Sequence, residues 1–136
     1  MTRDLEQEAR NKTLVLEAFD ALFNRRDFGA AERYFSPDYV QHSAVIGPGR
    51  DGIFALVRSV HRQYESALVV AEGDYVMVHG RFSGGGRPTR IVVDILRVVD
   101  GHLAEHWDVI QDEATRGESK SGLPMFGDRF PEGKRP

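Results

Sequence analysis

The run from His102 to Gln111 reads His-Leu-Ala-Glu-His-Trp-Asp-Val-Ile-Gln and brings carboxylates, imidazoles and an indole close together in the chain. On an extended strand, side chains two apart share a face, so His106 and Asp108 lie together while Glu105, Trp107 and Val109 lie opposite. The preceding apolar stretch holds Asp94 amid Ile91, Val92, Val93, Ile95 and Leu96. A carboxylate buried in such a run is expensive unless hydrogen bonds or charges meet it, so Asp94 is either paired structurally or part of a site. These residue types suit acid/base chemistry. Removing a proton from a carbon beside a carbonyl needs a base whose pKa is raised toward neutrality and a donor for the developing enolate oxygen. The reading assigns Asp108 as the base, His106 or His42 as the donor, and Asp94 as the group that tunes whichever histidine it touches. If Asp94 and Asp108 are close, their like charges raise one of the two pKa values further.

Hairpin register decides which of these residues meet. A three-residue loop Val99-Asp100-Gly101 would set Val98 opposite His102 and Asp94 opposite His106, with Asp108 one pair further along. A two-residue Asp100-Gly101 turn would set Asp94 opposite Trp107 and send His106 and Asp108 to the other face. The first is favoured because it gathers three polar residues on one face.

The elements that must position these groups are legible as a change of period. Thr2 to Phe23 reads as an amphipathic helix with Val15, Ala18, Phe19 and Leu22 on one side. Asp27 is placed to cap a short helix burying Phe28, Ala31, Tyr34 and Phe35, stopped by Ser36-Pro37. Tyr39 to Ser43 is a short extended piece, and Gly47-Pro48-Gly49 a turn. Asp51 to Tyr64 reads as a third helix with Ile53, Leu56, Val57, Val60 and Tyr64 on its face. Beyond it the period falls to two: Ala67–Ala71, Tyr75–Phe82, Thr89–Val99 and His102–Gln111 read as consecutive antiparallel strands. Gly84-Gly85-Gly86 lacks the strand-to-helix setting of a phosphate loop and is a hairpin turn. Helices followed by a curved antiparallel sheet make an α+β, cone-shaped fold whose single mouth either fills with side chains or admits a small ligand.

With 136 residues, the chain is one domain's worth. Residues 1–126 are expected to form it and 127–136 a tail, with Leu123-Pro124-Met125-Phe126 docking somewhere. A net charge of −3 without a Lys/Arg cluster argues against nucleic acid as partner. The absence of cysteine excludes disulfide scaffolds, thiolate zinc sites and cysteine nucleophiles. No window approaches a membrane span, and a cytoplasmic location is the expectation.

The pattern from Asp94-Ile-Leu-Arg to Glu-His-Trp-Asp108, with Tyr39-Val-Gln-His42 and Gly-Leu-Pro-Met-Phe near the end, resembles the SnoaL-like polyketide cyclases of the nuclear transport factor 2-like superfamily. The resemblance covers nearly the whole chain to about Phe126. It implies a cone-shaped α+β fold, a pocket inside the cone and a homodimer formed through the sheet. In the characterised cyclases an aspartate on the last long strand acts as acid/base in an intramolecular aldol closure, without metal or organic cofactor; that aspartate corresponds to Asp108. Asp94 stands where those cyclases carry a histidine, a departure from their pattern. The paired aspartates also resemble epoxide hydrolases of the same fold, whose arginine placement is not evident here. The expected site is therefore Asp108, Asp94, His106 and His42 for chemistry, with Tyr39, His79, Trp107 and Phe54 against the substrate, and no metal or cofactor. Trp107 alternatively serves core or dimer interface, and His79 the surface. Two classes of function stay open: an acid/base enzyme of aldol cyclase, isomerase or dehydratase type acting on a small hydrophobic carbonyl compound, and a non-catalytic ligand-binding or dimerisation module. A pocket of a few hundred cubic ångströms floored by Asp108 would favour the first; a closed interior, or Asp108 locked to an arginine, the second.

Overall fold

The computed structural model describes residues 3–132, so Met1, Thr2 and the last four residues of the expected tail lie outside it. Helix α1 spans Leu5–Phe19, opened by Asp4, whose carboxylate accepts the Gln7 N–H at 3.0 Å. The expected single helix to Phe23 does not continue as an α-helix. It widens into one π-helical stretch, Asp20–Asn24, in which Arg25 N–H reaches back to the Asp20 carbonyl. Asn24 thereby clasps the backbone of Tyr64, accepting its N–H at 2.9 Å and donating to its carbonyl at 3.1 Å. This clasp explains why the third helix is shorter than its apolar periodicity suggests: α3 ends at Ser59, Val60 is already extended, and Tyr64 belongs to a strand. Helix α2, Phe28–Tyr34, is capped by Asp27 as its sequence requires.

Strand β1, Phe35–Gln41, starts earlier than expected and carries Ser36-Pro37 within it. Four more follow: β2 Gln63–Glu72, β3 Tyr75–Ser83, β4 Arg90–Val99 and β5 His102–Asp112. The sheet order is β1-β5-β4-β3-β2. The last four strands form the expected antiparallel meander, but the sheet is mixed, because β1 lies parallel to β5. That edge strand brings Gln41 beside His106. Helices lie against the concave face over Val15, Leu22, Phe35, Val76, Val78, Leu96 and Leu103, all essentially inaccessible to solvent. The result is an α+β cone with an open sheet.

The β4–β5 hairpin corrects both registers considered from sequence. Its turn has two residues, Asp100 and Gly101, both with positive φ (50° and 75°), and Val99 pairs with His102. A bulge at Ala104 then shifts the pairing by one: Val98 faces Leu103, but Arg97 faces Glu105, and Asp94 faces Asp108 rather than His106. Without that extra residue, Leu103 in the core would have forced His106 and Asp108 outward. The short turn and the bulge together put Leu103, His106 and Asp108 on the concave face.

Candidate functional site

The concave face of β4 carries Arg90, Val92, Asp94 and Leu96 in alternation, and that of β5 carries His106, Asp108 and Ile110. Asp94, His106 and Asp108 each offer a polar atom within 4.8 Å of the others. They line a cavity of about 150 Å³ whose remaining wall is largely apolar, with Phe19, Phe23, Tyr39, Ile46 and Phe82 among its residues. The π-helical stretch is part of the reason: Phe19 and Phe23 both reach this wall and stack edge-on, ring centroids 5.3 Å apart. The hollow is smaller than the few hundred cubic ångströms expected, and it is neither filled nor sealed.

Hydrogen bonds orient the histidine. Gln41 Oε1 accepts the Ser43 N–H at 3.0 Å, which fixes the amide so that His106 Nδ1–H donates to the same oxygen at 2.6 Å. His106 Nε2 then faces Asp94 Oδ1 at 2.7 Å and shares a proton with it. Asp94 is 5% exposed, and its second oxygen, Oδ2, is buried with no hydrogen-bond partner. Burial holds its carboxyl above the usual aspartate range, the His106 bond and charge oppose that, and the Asp108 charge adds to it. Tyr39, beside the pair, is pushed above the usual phenol range by burial and then by the Asp94 and Asp108 charges. Among the described residues no side chain hydrogen-bonds to, or ion-pairs with, the Asp108 carboxylate, so no arginine locks it. The arginines expected as its competitors are taken elsewhere: Arg90 by Asp112 and Arg81 by Glu113.

The structure therefore brings Asp94, His106, Asp108 and Tyr39 together and places the other expected residues elsewhere. His42 is on the outside, stacked on Trp107 with ring centroids 4.8 Å apart and bonded to Glu105 at 2.6 Å. Strand alternation accounts for this, since Tyr39 and Gln41 face inward and His42 follows on the opposite side. Trp107 and His79 occupy the convex face for the same reason, and His79 packs near Phe126, 5.4 Å between ring centroids. Phe54 is buried in the core against Phe28 and Phe35, away from the cavity wall. Gln41 was the residue missed, although its two-residue spacing from Tyr39 was the available signal. His102 and His106 stand four apart, but His102 is exposed and its ring meets the Asp100 carbonyl. A cation could draw on Asp94, His106 and Asp108, yet His106 Nε2 is already bonded to Asp94, so coordination would require breaking that bond.

A helical layer packed on the concave side of a curved sheet, with a hollow between, is the architecture of the nuclear transport factor 2-like cone. The profile of the SnoaL-like domain matches residues 15–106, and the chain belongs to that family. Among solved structures, AclR, a proposed hydroxylase from Streptomyces galilaeus, is 29% identical with a TM-score of 0.64, over 76% of this chain and 90% of that one. TsrD from Streptomyces laurentii is 26% identical, TM-score 0.65, over 76% and 89%. A proposed ketosteroid isomerase from Kribbella flavida superposes with a TM-score of 0.71 over 90% and 96%, at 20% identity, a likeness of fold alone. A search of curated proteins returned no match. No helix among the described residues is long and apolar enough to cross a membrane.

Proposed function

We propose that the protein is a proton-transfer enzyme acting on a small, largely apolar carbonyl compound held in the cone, in the aldol cyclase, isomerase or dehydratase range. The observation that carries this reading is the pairing of two inward aspartates, one bonded to an oriented histidine and holding a buried, unpartnered oxygen, the other free of any fixed partner. Asp108, as carboxylate, takes a proton from the carbon beside the carbonyl. The C–H electron pair moves to the carbonyl oxygen as an enolate. The Asp94 carboxyl, its pKa raised by burial, supplies the hydrogen bond to that oxygen from a proton on its otherwise unpartnered Oδ2, while Oδ1 stays bonded to His106. The enolate carbon then recovers a proton from Asp108, or attacks a second carbonyl of the same molecule, whose oxygen takes the π electrons and then the proton held by Asp108. Phe19, Phe23 and Tyr39 keep water from the reacting atoms.

Acetophenone in D₂O tests the first step, because exchange of its methyl protons can be followed by NMR. The expected result is protein-dependent exchange that Asp108→Asn abolishes while the melting temperature is retained. Undiminished exchange in that variant overturns the assignment.

The chain's second expected property, a homodimer through the sheet, is proposed on the convex face. Leu68, Val70, Tyr75, Met77 and Val109 are all exposed there, an apolar surface larger than scattered side chains explain. Sedimentation equilibrium checks it: Val70→Glu should yield monomers, and a monomeric parent chain would refute it.

A further inference from the structure

The cavity has a second polar end, which proton transfer does not use. Arg62, Arg87 and Arg90 all line it, in a wall that is otherwise apolar apart from the acid/base cluster. Arg90 and Asp94 are on the same face of β4, four residues apart, which separates their α-carbons by roughly 13 Å at ~3.3 Å per residue. The arginines thus gather toward the β3–β4 turn while the aspartates sit deeper along the strands.

Their local bonds leave positive charge unmatched. Arg90 Nε donates to Asp112 at 3.0 Å. Arg62 Nη2 donates to the Phe82 and Pro88 carbonyls, at 3.2 and 2.6 Å, which carry no net charge, and its Nε is buried without an acceptor. Arg87 has no hydrogen bond or ion pair among the described residues. Three guanidinium groups at the open end of an apolar hollow, Arg87 exposed and Arg62 and Arg90 half-buried, are therefore offset by one carboxylate, which leaves net positive charge there for an anion. Burial, and then the charges of Arg90 and Arg87, hold the Arg62 guanidinium below its usual range, consistent with crowding of like charge.

We propose that the compound taken into the cavity carries a carboxylate at the end remote from its reacting carbonyl, held by Arg62, Arg87 and Arg90. A guanidinium fork matches the two oxygens of a carboxylate, and a cavity of about 150 Å³ has room for one aromatic ring between the two ends. The substrate class is thus an aryl or similarly compact keto acid. The identity of the carbonyl end rests on the proton-transfer reading above, whereas the anionic end is tested by binding alone.

Isothermal titration of the full chain with para-acetylbenzoate, para-acetylbenzamide and para-acetylphenyl phosphate makes the test. The benzoate should bind about tenfold or more tightly than the neutral amide, as charged hydrogen bonds predict, with the margin narrowing as salt rises. Arg87→Gln, which removes no bond within the protein, should bring the two affinities close together, and Arg62→Gln should act in the same direction. Equal affinities in the parent chain, a preference unchanged in Arg87→Gln, or binding of neither compound each overturns the proposal. Tighter binding of the phosphate ester overturns the carboxylate assignment in favour of a phosphate. Asp108→Asn should keep the preference while losing exchange. A carboxylate preference in a protein that never catalyses exchange would refute proton transfer and leave the anion site standing.

Discussion

Two buried clusters of charge occupy opposite faces of one sheet, and they are finished differently. On the convex side Arg81 donates to both oxygens of Glu113, one bond at 2.8 Å, and to the carbonyls of Phe126 and Arg129, while its guanidinium lies over the Phe126 ring, 4.7 Å from the centroid. Glu65 approaches the same group and also pairs with Arg129, and Phe130 is buried nearby in the chain. This cluster accounts for where the Leu123–Phe126 patch docks: Phe126 is buried, and the Met125 sulfur accepts the Ala114 N–H, while Leu123 stays exposed. Arg81 Nε and Nη2 are matched to protein acceptors, and Nη1 faces the Glu65 carboxylate at 3.7 Å. On the concave side Asp94 keeps one oxygen unmatched beside a cavity, and Asp108 has no fixed partner. A satisfied buried ion pair anchors chain, whereas an unsatisfied one next to open volume leaves bonding capacity for a ligand.

The largest expected effects cross over between these faces. Asp94→Asn, which replaces the carboxyl donor by a weaker amide, should lower exchange by up to about 10²–10³-fold, the span for one oxyanion donor, with the fold retained. Glu113→Gln should do the reverse, since it strands Arg81 in a buried site at a cost of about 3–5 kcal/mol in urea unfolding, with exchange per folded molecule unchanged. Equal loss of stability in the two variants would remove the distinction between the clusters.

A smaller effect is the pH dependence of stability. The Asp94 carboxyl is raised in the folded state, so the folded chain holds a proton that the unfolded chain releases once pH exceeds the ordinary aspartate value, ~3.9. The stability this residue contributes is complete below that pH and is lost as pH rises through the folded value. Relative to the parent, Asp94→Asn should therefore gain stability as pH climbs from about 4 toward neutrality. Glu8 has the opposite sign: the Arg3 hydrogen bond, and then the Gly73 N–H, lower its pKa, so its contribution is present above the ordinary glutamate range and lost on acidification. Thermal melts of Asp94→Asn and Glu8→Gln across pH should diverge from the parent in opposite directions.

Gly80 offers an intermediate test of the concave wall. A Cβ there would lie 2.6 Å from the Tyr64 ring and hydroxyl, so Gly80→Ala must displace a side chain that Asn24 anchors through its backbone. The expected loss is about 1–3 kcal/mol, measured by denaturant unfolding.

How much of this was legible in the sequence differs between the elements and their joints. Period alone located the helices and the four-strand meander and put His106 and Asp108 on one shared face, because alternation depends only on local backbone geometry; which face that is depended on the hairpin register. What it missed depended on non-local contacts. The Ala104 bulge adds one residue that no composition signal marks, so that with the two-residue turn Asp94 meets Asp108 instead of Trp107. The parallel seating of β1 against β5 follows from tertiary packing, and with it the Gln41 bond that orients His106. The shortened α3 reflects Asn24 holding Tyr64, forty residues away, against the strand.

The smallest expected effect concerns His42, which the sequence motif nominates for chemistry and the structure sets on the outer face. Its ring lies flat on Trp107 and bonds to Glu105, whose carboxyl is held below its usual range by that bond and then by Arg97. These contacts are partly open to water, where ion pairs are screened and contribute little. His42→Ala should leave acetophenone exchange unchanged and shift the melting temperature far less than Glu113→Gln does. A loss of exchange approaching that of Asp94→Asn would mean that the outer face communicates with the cavity, most directly through the His42 N–H bond to the His106 carbonyl at 2.9 Å. That backbone bond survives the substitution, so side-chain removal alone separates the two faces.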